Sequence, residues 1–165
     1  MQFDKYVALD ILNRVHISIE HIEERSQPYH CGDDFLMSST GVAILDSICM
    51  QFIAIGESLK GLDKVTRGEL LTTHPEIDWK NVKGLRDIIA HHYFEVDADQ
   101  IWWIIENELQ PLKKAILEMI ESLKRILDEE CQVAVLSFGT SSSPFHTFIP
   151  QLSMLFRINS LSLSH

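Results

Sequence analysis

The chain is short of the residues that staple a fold, ligate a metal or cradle a phosphate. It has three cysteines, Cys31, Cys49 and Cys131, with no metal-ligand spacing between them. An odd count without a secretory signal reads as reduced thiols in a cytoplasmic protein. A glycine-rich phosphate loop and a serine-nucleophile motif are both missing, so the usual nucleotide-loop and hydrolase chemistries are excluded. No metal site is expected. The opening "MQFDKYVALD" has early acidic residues and no apolar core of a signal peptide. No uninterrupted apolar run is long enough to span a membrane, and no membrane partner is expected. Strand-like alternation is absent before residue 130, and no internal repeat is found. Basic residues are also few, 14 against 24 acidic ones, for a formal charge of −10. That balance favours solubility and argues against a general nucleic-acid coat, while leaving room for a small basic patch on one face.

What is present is apolar residues at helical spacing. With 45% hydrophobic residues in 165, the chain is globular and fits one domain with a modest core. Leu12, Val15, Ile19 and Ile22 form one stripe of a helix over about Asp4 to Arg25. "SQPYHCGDD" breaks it at Pro28 and Gly32. A second helix begins near Asp33 or Ser39 and runs to about Lys60. Its apolar positions Val42, Leu45, Ile48, Cys49, Phe52, Ile55 and Leu59 cover a wide arc, as in a central helix. Gly56 inside it costs about 1 kcal/mol relative to alanine, which close approach of another backbone would offset. Gly61 is placed to end it. A short helical piece follows around Lys64 to Thr72. In "HPEIDW", Ile77 and Trp79 are placed to anchor a loop. A third helix spans about Lys80 to His91. A fourth opens at Asp97, where "DADQ" resembles a capping box, and Pro111 should kink or divide it. The expected fold is all-α: about four main helices plus short ones.

From Cys131 onward the chain changes in kind. Arg157 is its one ordinary charge and it holds eight serines, so its surface chemistry differs from that of the acidic part before it. Residues 1–130 therefore read as the helical domain, and residues 131–165 as a low-charge Ser/Phe-rich tail, a poorly ordered appendage.

One stretch, "GLRDIIAHHYFEVD", sets an arginine, two histidines and a tyrosine inside an apolar helical pattern. The plainer reading makes Ile88, Ile89, Ala90 and Phe94 core residues and Arg86 and the histidines a solvated face. Three spacings weigh against it. Asp87 and His91 are four apart, so a carboxylate can orient an imidazole. Arg86 and Tyr93 are seven apart and share a face if the helix persists. Arg86 and His91 are five apart, about 140° around a helix of roughly 3.6 residues per turn. Those two converge only at a helix end or with help from a second chain, which a two-fold interface supplies. Arginine suits phosphate and histidine moves protons near neutral pH. Together they can cleave RNA without metal or cofactor: a base assists the 2′-OH while the arginine stabilises the phosphoryl oxygens. Lys80, Lys83 and His92 are candidate substrate-binding residues, and Lys60, Lys64 and Arg67 are placed to extend the basic patch.

The pattern Arg86–x4–His91–x–Tyr93 resembles the R-x4-H-x-Y signature of HepT-like toxins of the HEPN superfamily. "IGES" (Ile55 to Ser58) is similar to the family's central-helix IGEA segment, "HPEIDW" to its HPEIPW-type turn, and "IWWIIENELQPLKK" to the stretch after its motif. The resemblance covers about residues 1–127; the tail departs from it. It implies a HEPN-like helical bundle and a homodimer with the motif at the cleft between protomers. It further implies a metal-independent ribonuclease toxin of a type II toxin–antitoxin system, acting on tRNA or mRNA. Arg86 and His91 would be catalytic, with Asp87 supporting. His92 fills the variable position and either meets substrate or simply sits exposed. The implied partner is an MntA-like minimal nucleotidyltransferase antitoxin, which uses ATP as AMP donor and silences the toxin by AMPylation of Tyr93. The alternative is a non-catalytic HEPN nucleotide- or partner-binding module that regulates a nucleotidyltransferase.

Overall fold

A computed structural model describes residues 3–91 and 96–138. The described residues form six α-helices and one 3₁₀ turn, with no strand among them: α1 (Lys5–Ser26), α2 (Gly32–Leu36), α3 (Ser39–Thr66), the 3₁₀ turn (Leu71–Thr73), α4 (Trp79–His91), α5 (Ala98–Asn107) and α6 (Leu109–Phe138). The all-α expectation holds. The chain divides into two units between Asp128 and Glu129. Helix α6 remains helical through residue 138, past the change of composition at Cys131. Residues 139–165 of the tail lie outside the described residues.

Local signals set the helix starts. Asp4 caps α1 by accepting from the amides of Tyr6 and Val7. Ser38 caps α3 through the amide of Gly41, and Asp97 caps α5 through that of Asp99. Helix α3 packs against α1 and α4, while α2 packs between α3 and α5. Its buried positions Ile48, Phe52, Ile55, Leu59 and Leu62 meet Leu12, Val15, Ile19 and Ile22 of α1 in one core. Phe35 of α2 is fully buried, stacked on Tyr29 at 4.2 Å between ring centroids and tilted against Trp102 at 6.1 Å. By length and composition alone α3 could cross a bilayer, although Asp46, Ser47 and Gln51 interrupt its apolar run; here its buried positions pack into the bundle.

Several expectations change. Gly61 does not end the central helix: α3 continues to Thr66, because Leu62 and Thr66 also reach the core and their burial outweighs one glycine. The stop comes at Arg67, in left-handed backbone (φ 53°), whose amide donates to the Asp63 carbonyl. The helix expected to start at Asp97 is divided, with α5 ending at Asn107 and α6 starting at Leu109. Pro111 lies in the first turn of α6, where its missing N–H costs nothing. Val42 is exposed, as are Ile88 and Ala90, and Ile89 is the residue of that trio that enters the core. Phe94 lies outside the described residues.

Candidate functional site

Helix α4 carries the motif, and the loop before it fixes where α4 begins. Trp79 donates its indole N–H to the His74 carbonyl at 2.8 Å, and the side chain packs on the core with Ile77. Asp78 accepts from the Asn81 amide at 3.0 Å, capping the first turn. The "HPEIDW" segment is thus an anchor, as its sequence suggests.

Gly56 sets how closely α4 approaches α3. A Cβ there would lie 2.6 Å from the Cβ of Arg86 and 3.5 Å from the Lys83 carbonyl. The missing methyl is what lets Arg86 seat against the central helix. Its guanidinium then meets two carboxylates. Nη1 donates to Asp87 Oδ1 at 2.7 Å, and Nε lies 2.6 Å from Glu57 Oε1. The Nε–H does not point at that oxygen, so Nε, which has no contact with solvent, is ion-paired without an aligned hydrogen bond. Lys60 closes the circuit. Its Nζ lies 3.0 Å from Asp87 Oδ2, 3.1 Å from Asp87 Oδ1 and 3.8 Å from Glu57 Oε1. Glu57, Lys60, Asp87 and Arg86 therefore form a closed ring of alternating charge. The Lys60 and Arg86 hydrogen bonds hold the Asp87 carboxyl below its ordinary range. Asp87, and then Glu57, push the Arg86 guanidinium up. Arg86 is a fixed cation whose Nη2 makes no hydrogen bond among the described residues.

Asp87 does not orient His91 as their spacing suggests. Its two oxygens are taken by Lys60 and Arg86, whose charge-assisted bonds outweigh one exposed imidazole. His91 stands exposed in the last turn of α4, with no side-chain hydrogen bond or ion pair among the described residues. His92 and Tyr93 lie outside the described residues. Beside the ring, an open groove of about 830 Å³ runs between α3 and α4, where Lys60, Lys64, Lys80 and Lys83 face Glu57, Asp63 and Asp87. Lys83 pairs with Asp63, while Lys64 and Lys80 have no ion-pair partner among the described residues. Glu57 was not a candidate from the sequence. It sits 29 positions before Arg86, and only its place in "IGES", next to a costly helical glycine, hinted at a contact.

Comparison with known proteins decides the family. The family model described as ribonuclease HepT-like matches residues 15–119. The chain belongs to the HepT-like ribonuclease family. Among relatives of this HepT-like chain, a Methanocaldococcus jannaschii protein named gamma-glutamylcyclotransferase and putative RNase is 32% identical over 114 residues, 69% of this chain and 48% of that protein. A putative RNase of Caldanaerobacter subterraneus is 36% identical over 70 residues, 42% of this chain and 59% of its own length. A Thermococcus cleftensis protein named probable ribonuclease HepT is 30% identical over 105 residues, 63% of this chain and 87% of that protein. The chain thus spans about half of the first and somewhat more of the second. No solved structure matches it. The region matched by the HepT-like model contains Glu57, Lys60, Arg86, Asp87, His91 and Tyr93, and ends before the low-charge tail.

Proposed function

We propose that this HepT-like protein is a metal-independent ribonuclease, the toxin of a type II toxin–antitoxin pair, acting in the cytoplasm as a homodimer. The observation that supports it best is Arg86: a fixed cation, its stem seated at Gly56, its Nη2 free to donate to a phosphate oxygen, five positions before exposed His91 on the same helix. In this reading His91 takes the proton of a ribose 2′-OH. The 2′-oxygen forms a bond to the adjacent phosphorus, the bond to the 5′-oxygen breaks, and a protonated histidine returns a proton to that oxygen. Arg86 stabilises the charge on the phosphoryl oxygens. Because Arg86 and His91 do not meet within one chain, a second copy completes the site. An apolar hollow of about 470 Å³, with Phe52, Ile55, Leu85, Ile88 and Trp103 in its walls, offers a surface for that copy. Lys64 and Lys80 suit the RNA backbone.

The AMPylation switch belongs to the same proposal. A nucleotidyltransferase partner of MntA type would place AMP from ATP on Tyr93, adding a phosphodiester and a bulky nucleotide two positions after His91 in sequence and blocking RNA by charge and size. The test is direct. Purified unmodified protein should cleave RNA in EDTA, and Arg86→Ala and His91→Ala should not; full cleavage by both variants rejects the mechanism. Incubation with the nucleotidyltransferase and ATP should add whole AMP masses to wild type and none to Tyr93→Phe. The second reading, a binding module, draws on the neutralised ring around Arg86. It predicts tight ATP or partner binding with no RNA cleavage.

A further inference from the structure

We propose that Glu57 of α3 is a positioning residue for Arg86, fixing the guanidinium so that Nη2 is the edge it offers to a phosphate. This rests on the ribonuclease reading and deepens it. Two consecutive residues of α3 act on the same arginine. The bare backbone of Gly56 sets where its stem lies, and Glu57 holds its head at 2.6 Å. The contact is close but off-axis, so Nε is ion-paired without an aligned hydrogen bond. What the off-axis carboxylate still supplies is directional charge, which holds the planar guanidinium from the Nε side while Asp87 holds Nη1. Two of the three nitrogens are thereby spoken for, and Nη2 remains. Lys60 keeps this arrangement compatible with an incoming anion, because it offsets the second carboxylate and leaves the ring neutral rather than negative.

The ring makes an unusual prediction. Glu57→Gln keeps the shape and removes one negative charge. An RNA phosphate should then meet a net positive ring and bind the same or more tightly. Cleavage should nonetheless slow, because Arg86 is no longer held; a loss of about 100-fold is the scale for a reacting group misplaced by about 1 Å. The experiment uses the full, unmodified chain. Binding is read by anisotropy of a labelled RNA with a 2′-deoxy nucleotide at the cleavage position, kcat with the cleavable RNA, and the Arg86 Nε–Hε resonance by NMR. The expected result is unchanged or tighter binding, kcat down at least tenfold, and a shifted or exchange-broadened Arg86 signal. Glu57→Asp, which keeps the charge, should recover part of kcat. An unchanged kcat in Glu57→Gln overturns the proposal, as does a parallel loss of binding and kcat with a lowered Tm, the mark of a merely structural pair. If wild type cleaves no RNA, the ribonuclease reading fails by itself. The NMR signal still decides the positioning role: an Arg86 resonance identical in wild type and Glu57→Gln ends it.

Discussion

Replacing Gly56 by alanine tests both the helix contact and the site, and Gly61 in the same helix is its control. Both glycines are interior to α3. A Cβ at Gly61 meets nothing within 4 Å, so Gly61→Ala should recover the full helix-propensity difference of about 1 kcal/mol. At Gly56 the same methyl lies 2.6 Å from Arg86 Cβ. Carbons rest about 3.5–4.0 Å apart, so α4 must retreat by about 1 Å. Overpacking of this kind costs about 1–3 kcal/mol. The propensity gain cancels part of it, and the two variants should differ by about 1–3 kcal/mol for one identical chemical change. In a chain of this size that is roughly 2–4 °C of Tm for each kcal/mol. The assay is thermal unfolding by circular dichroism, the two variants side by side, followed by RNA cleavage. Gly56→Ala should melt below Gly61→Ala and cleave far more slowly, since a shift of about 1 Å carries Arg86 away from Glu57 and Asp87. Equal melting temperatures, or full cleavage by Gly56→Ala, would refute the claim that this glycine seats the arginine.

Other outcomes follow from single contacts. Burial, reinforced by Asp46, pushes the Cys49 thiol up to about 11, while Cys31 and Cys131 are exposed. At pH 8 iodoacetamide should therefore label two cysteines quickly and the third only on unfolding; three equal rates would contradict the packing. Asp87 is held below the ordinary carboxylate range by Lys60 and Arg86. Its contribution to stability is present above the ordinary carboxyl pKa and is lost as pH falls through its lower folded value. Wild type should lose more Tm than Asp87→Asn on acidification from pH 7 to pH 3, and parallel curves would count against the ring. Trp79→Phe removes the indole bond to the His74 carbonyl and should cost about 0.5–1.5 kcal/mol, seen as a lower urea midpoint at unchanged slope.

The helices were readable from the sequence because their determinants are local. The stripe from Leu12 to Ile22 lies on one face by geometry alone, and Asp4, Ser38 and Asp97 need only their own first turns to act as caps. Arg86, Asp87 and His91 were legible for a similar reason, as polar types at fixed spacing on one short helix. The cost of Gly56 also pointed to a close neighbour, without naming it.

Tertiary packing decided the rest. Whether Gly61 stops a helix depends on whether Leu62 and Thr66 find a core beyond it, and they do. Whether Asp87 serves His91 or Lys60 depends on which cation another helix brings near. A local i, i+4 spacing permits one pairing, while α3 delivers a stronger one from 27 residues away. Glu57 could not be matched to Arg86 from the sequence, because their meeting depends on the angle and closeness of α3 and α4. The sequence alone determined the helices and named the arginine. The packing of α4 against a single missing methyl decided what holds that arginine, and which of its edges is free.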